Sequence, residues 1–285
     1  MAIYREYDQV ALDAQYNCRG MVPDFDDQIA HWISESKSAQ TGLTADLDVA
    51  YGPDDTERLD IYPAAEKNAP IMVFIHGGYW RAMDKREHAF PALAFAPAGI
   101  TLISINYALA PNVGITEIVR QCRAAMIWVY RNAPFFGGDR SRLYVSGHSA
   151  GGHLTAMMLA TDWTSQAPDM PADLVKGGCP ISGLYDLEPI RLTYLNADLH
   201  LDQKEAAQNS PLLLEPRGAQ WMIVTSGGLE SAEFHRQQSG LVDKWRAAGL
   251  DVETVESPGK HHFNVVTQLA ESRSPLFSAV SSRIL

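Results

Sequence analysis

The tightest constraint on this chain is the pentapeptide Gly147-His148-Ser149-Ala150-Gly151. It lies between a short apolar run, Leu143 to Val145, and a stretch of small and apolar residues, Ala150 to Ala160. A strand that passes directly into a helix has only a few residues in which to turn. A serine at the centre of such a turn holds a strained backbone, and its hydroxyl is lifted clear of the sheet at a helix N-terminus. Glycine on either side keeps side chains out of the reversal. An ordinary glycine-rich loop could carry the same five letters. The flanking strand and helix are what make Ser149 a candidate nucleophile.

Strand-like and helix-like segments alternate around this turn. Ile71 to Ile75, Thr101 to Ile105, Leu174 to Ile181, Trp221 to Val224 and Val252 to Glu256 read as strands. His88 to Ala96, Ile115 to Arg131, Glu233 to Ala248 and a segment after Phe263 read as helices. Fully apolar runs such as IMVFI mark strands buried on both faces. The alternation predicts an α/β fold with a mostly parallel central sheet and helices on both faces. Ala45 to Tyr51 and Arg58 to Tyr62, on either side of Gly52-Pro53-Asp54-Asp55, predict an antiparallel hairpin at one edge.

Two segments depart from the rhythm. Residues 1–40 are polar with scattered aromatics (Tyr4, Tyr7, Tyr16, Phe25, Trp32) and read as an N-terminal arm with helical pieces. Residues 186–216 are rich in proline and predict a lid or cap inserted over the sheet. The whole of 1–285 is expected to form one domain, a length that supports a large core.

A net charge of -11 argues against nucleic acid as a partner. No stretch has the uninterrupted apolar length of a membrane span, and the first residues lack the basic-then-apolar pattern of a signal peptide. Cys18, Cys122 and Cys179 are scattered and odd in number, so neither a disulfide framework nor a zinc knuckle is expected. These features predict a cytoplasmic protein that acts on a small molecule, with a homodimer as the assembly considered.

His76-Gly77-Gly78-Tyr79-Trp80 follows directly on the apolar run Ile71 to Ile75. Acyl transfer builds negative charge on a carbonyl oxygen, and donors must already point at it. Backbone N–H groups around Gly77, Gly78 and Tyr79, joined by that of Ala150, are candidates for this oxyanion hole. His76 is expected to brace the loop. Tyr79 and Trp80 are candidate substrate-binding aromatics, with packing inside the loop as the other reading of Trp80.

A serine hydroxyl needs a base, and that base needs an orienting acid. In strand-turn-helix hydrolases the chain order is serine, acid, histidine. His261 and His262 lie between the last strand and the last helix, and spacing hardly separates them. The acid belongs in the loop after Trp221 to Val224, where Glu230 is the first choice and Glu233 and Asp186 are alternatives. His31, His88, His153, His200 and His235 read as solvated or packed.

Together the residues His76-Gly77-Gly78-Tyr79-Trp80, Gly147-His148-Ser149-Ala150-Gly151-Gly152-His153, Glu230 to Gln237, and His262-Phe263 resemble the kynurenine formamidase (arylformamidase) family and its esterase-like relatives. Gln15-Tyr16-Asn17 with Arg19 adds to the likeness, which thus covers most of the chain. The resemblance implies the α/β-hydrolase fold. It also implies Ser149 as nucleophile, Glu230 as acid, His262 rather than His261 as base, and Gly77, Gly78 and Ala150 as oxyanion hole. Better-known members carry Asp where Glu230 stands. The expected reaction is two-step acyl transfer without metal or organic cofactor, on a small formyl amide or ester. A broad carboxylesterase for short-chain esters is the neighbouring expectation, and a non-catalytic binding protein on the same fold is the rival of another class.

Overall fold

In the computed structural model, which describes residues 1–285, eight strands form one sheet in the order β1-β2-β4-β3-β5-β6-β7-β8. They are β1 (Asp46–Ala50), β2 (Arg58–Tyr62), β3 (Ala69–Ile75), β4 (Thr101–Ile105), β5 (Gly138–His148), β6 (Gly177–Ile181), β7 (Trp221–Val224) and β8 (Asp251–Thr254). β2 runs antiparallel to both β1 and β4, and all other neighbours are parallel. This is the mostly parallel α/β-hydrolase sheet expected from the alternation, with its hairpin at the edge.

The centre of the sheet is apolar because it is covered on both faces. Every residue of β3, β4, β6 and β7 is buried. The helix Ala150–Leu159 is buried along its entire length, which explains its lack of a polar face. The segment His88 to Ala96 yields only one helical turn, at Ala92–Phe95, preceded by a separate turn at Lys85–Glu87. Pro91 accounts for the shortfall, since the residue before a proline is pushed out of the helical region.

The arm forms two helices, Gln9–Tyr16 and Phe25–Gly42, and residues 186–216 form short helices at Glu188–Arg191, Asn196–Leu199 and Gln203–Gln208. No helix is long and apolar enough to cross a membrane.

Parallel strands bring their C-terminal ends to one edge, where an open α/β sheet gathers its functional loops. The ends of β5, β6 and β7 are level: Ser149 N–H donates to the Ile181 carbonyl, and Ser182 N–H to the Thr225 carbonyl, each at 2.8 Å. Loops carrying Gly77, Ser149, Ser182, Glu230 and His262 therefore leave the sheet at a common height.

Candidate active site

Ser149 has φ +58° and ψ -118°, a conformation that a non-glycine residue adopts only under constraint. The constraint is close packing. A Cβ on Gly151 would lie 1.9 Å from the Ile75 carbonyl oxygen, so only glycine lets the helix start against β3. The turn projects Ser149 Oγ toward the loop after β8. There His262 Nε2 lies 3.0 Å from Oγ, and His262 Nδ1 lies 2.8 Å from Glu230 Oε2.

These contacts define the tautomer. Nδ1 donates to the carboxylate, leaving the Nε2 lone pair to accept from the serine hydroxyl. Both partners of the His262–Glu230 hydrogen bond are nearly sealed, with side-chain exposures of 4% for His262 and 1% for Glu230. Burial disfavours the imidazolium, but the Cys18 sulfur and the Glu230 carboxylate beside it outweigh burial and raise His262 above the usual histidine value. The chain hydroxyl–imidazole–carboxylate can thus move a proton off Oγ and hold the resulting charge.

The loop after β3 makes its own turn. Gly78, Tyr79 and Trp80 all have positive φ (+104°, +48° and +57°), and Arg81 and Ala82 N–H both donate to the Gly78 carbonyl. A Cβ at Gly78 would come within 2.1 Å of the Ala82 carbonyl oxygen. The Gly77 and Gly78 N–H groups donate to no protein acceptor. A Cβ on Gly77 would lie 3.3 Å from Ser149 Cβ, so this loop packs directly on the serine. Ala150 opens its helix, and its N–H has no intrahelical partner. Free donors thus flank Ser149 on two sides, as an oxyanion requires.

Tyr79 lines the cavity in front of Ser149, as expected, and its hydroxyl donates to the Tyr16 carbonyl at 2.7 Å. Trp80 corrects the expectation of a substrate contact. It is fully buried, away from the cavity wall, and its Nε1–H donates to His153 Nδ1 at 3.2 Å. The two rings stay neighbours, with centroids 6.3 Å apart, but only Tyr79 reaches the cavity. Trp80 takes the packing role that was its other reading.

The alternatives for base and acid have other partners. His261 Nδ1 accepts from the Phe263 and Asn264 N–H groups, and its Nε2 faces Asp24 at 3.5 Å. Glu233 accepts from Tyr16 and from Arg236, while Asp186 accepts from Tyr4 at 3.0 Å. Both acids serve to hold the arm on the helix Ala232–Ala247. His76, expected to brace its loop, donates from Nδ1 to the Gly77 carbonyl at 2.8 Å, and its ring stacks on Tyr107.

The cavity holds about 240 Å³ and is walled by the arm and the loop after β3 in equal measure. Cys18, Phe25 and Trp32 enter it from residues 1–40, and Tyr194 from the 186–216 segment. Cys18, for which the sequence suggested no role in the site, is buried. Yet its Sγ sits 3.3 Å from the Tyr79 hydroxyl and flanks His262. The one sequence signal for this wall was the set of aromatics scattered through a polar arm. His148 was also unassigned; its Nε2–H donates to the His262 carbonyl at 2.7 Å, fixing the backbone of the loop after β8.

Comparison with known proteins places these features in context. The family model described as BD-FAE matches residues 59–175. A kynurenine formamidase from Danio rerio is 32% identical over 284 residues, covering 95% of this chain and 94% of its own. One from Salmo salar is 34% identical, covering 84% and 82%. A crystal structure from Silicibacter sp., provisionally called a thioesterase, superposes with a TM-score of 0.84 at 30% identity, covering 95% of this chain and 98% of its own.

Proposed function

The chain belongs to the kynurenine formamidase family of α/β-hydrolases, and from that premise and the site geometry we propose that it is a serine hydrolase cleaving a small formyl group from an aromatic amine. The observation that carries the reading is the buried series Ser149 Oγ, His262 and Glu230, with contacts of 3.0 and 2.8 Å, opening on an aromatic-walled cavity.

In the proposed reaction His262 Nε2 takes the Ser149 proton as Oγ attacks the formyl carbon. The negative charge that develops on the carbonyl oxygen meets the N–H groups of Gly77, Gly78 and Ala150. Each such donor contributes about 3 kcal/mol to the transition state. Glu230 stabilises the imidazolium and does not itself take the proton. The imidazolium then protonates the departing amine. Water, deprotonated by the same Nε2, releases formate from the acyl-enzyme and restores Ser149.

The substrate class rests on shape. Phe25, Trp32, Tyr79, Tyr194 and Phe263 line the cavity and suit a flat aromatic leaving group. Its volume of about 240 Å³ suits a small substrate as a whole. Cytoplasmic placement is part of the proposal, supported by three free, buried cysteines.

Steady-state assays with N-formylkynurenine and p-nitrophenyl acetate, using Ser149→Ala as the blank, test the proposal. The formamide is expected to be cleaved with kcat/KM at least equal to that for the ester. Cleavage of the ester alone would leave a short-chain carboxylesterase. No turnover together with no fluorophosphonate adduct on Ser149 would leave a binding protein.

A further inference from the structure

Glu230 uses its two carboxylate oxygens differently. Oε2 accepts from His262 Nδ1 at 2.8 Å, whereas Oε1 accepts from Gly227 N–H at 2.6 Å and from the Ser182 hydroxyl at 2.5 Å. Gly227 belongs to the loop that carries Glu230. Ser182 comes from elsewhere, at the end of β6 and 48 positions earlier in the sequence. We propose that Ser182 is a positioning residue of this site, and that its hydroxyl locks the Glu230 carboxylate so that Oε2 stays on His262 Nδ1.

The first argument is rotational. Glutamate has one more torsion than aspartate, and its terminal torsion is broad. Without Ser182, Oε1 would be held only by Gly227 N–H from the same loop, and the carboxylate's plane only by that donor and His262 itself. A second donor on the same oxygen, anchored to a separate strand, sets the plane.

The second argument is the backbone. Ser182 has φ +48°, in the left-handed region where a side chain costs free energy and glycine does not. The strain is held in place by Ser182 N–H, which donates to the Thr225 carbonyl at 2.8 Å. Glycine would suit this backbone better, so the presence of serine calls for a role of its side chain. Strained residues of this kind gather where structure serves function.

The third argument is burial. The Glu230 side chain is 1% exposed and Ser182 is 2% exposed, so bulk water cannot replace a lost hydroxyl. Removing the hydroxyl leaves Oε1 with one donor in a sealed site.

The inference rests on Ser149, His262 and Glu230 being the reacting groups, and two variants test it separately from that reading. Ser182→Ala deletes the hydroxyl and keeps the strained φ. Ser182→Gly deletes the hydroxyl and relieves the strain. Positioning predicts that kcat falls about 10- to 100-fold in both, with KM within about threefold. Ser182→Gly is meanwhile expected to melt at or above the wild-type temperature. The low-field proton resonance of the His262–Glu230 hydrogen bond is expected to shift or broaden in both variants. A purely structural serine predicts instead that Ser182→Gly restores the activity lost in Ser182→Ala. Activity of Ser182→Gly within about threefold of an active wild type, or an unmoved resonance, overturns the inference alone. An inactive wild type overturns the triad reading and this inference with it.

Discussion

Tyr16 and Glu233, 217 positions apart, share a buried hydrogen bond in which the phenol donates to Oε2 at 2.8 Å. The same hydroxyl accepts from Gln237 Nε2 at 2.9 Å, and Arg236 grips both Glu233 oxygens at 2.8 Å. The end of the first arm helix is thus fastened to the helix Ala232–Ala247. Cys18, two residues on, is thereby held against His262.

Tyr16→Phe removes a donor from a buried carboxylate and an acceptor from a buried amide. The expected cost is about 1–3 kcal/mol of unfolding free energy, read from urea denaturation. The cavity wall follows the arm, so KM is expected to rise severalfold with a smaller change in kcat. Wild-type stability and KM in this variant would mean that other contacts hold the arm.

Glu230→Gln tests what sets the proton affinity of His262. Burial acts to lower it, whereas the Cys18 sulfur and the Glu230 charge raise it. With the charge gone, the imidazole gives up its proton more easily, so the acid limb of kcat/KM moves to lower pH. The plateau is expected to fall by about 10⁴-fold, because an amide can fix the wrong tautomer. A pH–rate profile with an unmoved acid limb would show that the carboxylate does not govern this proton.

Trp80 offers a test in which stability and activity separate. His153 donates from Nε2 to the Asn209 carbonyl at 2.7 Å, which makes its Nδ1 the acceptor for the Trp80 indole N–H. Trp80→Phe keeps most of the packing and leaves that nitrogen unpaired. A loss of about 1–3 kcal/mol in stability is expected, with KM for aromatic substrates within about twofold of wild type. A large selective rise in KM would return Trp80 to the substrate.

How far the sequence reaches can be seen in particular residues. The bounds of β4 and β7 agree with the apolar runs Thr101–Ile105 and Trp221–Val224, because strands buried on both faces write their limits in composition. Ser149, the His261–His262 pair and Glu230 were legible because the triad follows a fixed loop order along the chain, while the choice of His262 within the pair came from the family resemblance. The cavity wall was not. Cys18, Trp32 and Tyr194 reach the site through tertiary packing of irregular segments, which no periodicity encodes. Ser182 follows a weak strand, and nothing in Ile181-Ser182-Gly183 announces a left-handed serine. Trp80 shows the limit most directly. An aromatic after Gly-Gly-Tyr is visible in the sequence, but its direction is set by three successive positive φ values.

The buried histidines set how the fold responds to acid. Burial lowers the proton affinity of His76 and His153 to a pKa of about 4 and that of His88 to about 3, while their ordinary value is 6.5. His76 and His88 each donate one ring N–H to a backbone carbonyl and bury the other nitrogen without a partner. Between pH 6.5 and these lowered values the unfolded chain binds more protons than the native one. Stability therefore falls as pH is lowered through that window, by up to about 1.4 kcal/mol per pH unit for each such group. Above 6.5 these groups are neutral in both states and contribute no pH dependence. From these three histidines no change in the urea midpoint is expected between pH 8 and 7, and a steep drop is expected between 6 and 4. His88→Phe, which fills the same space without a titrating nitrogen, is expected to flatten the drop. A midpoint that stays level down to pH 5 would mean that these imidazoles protonate inside the folded chain, and the burial argument would fail.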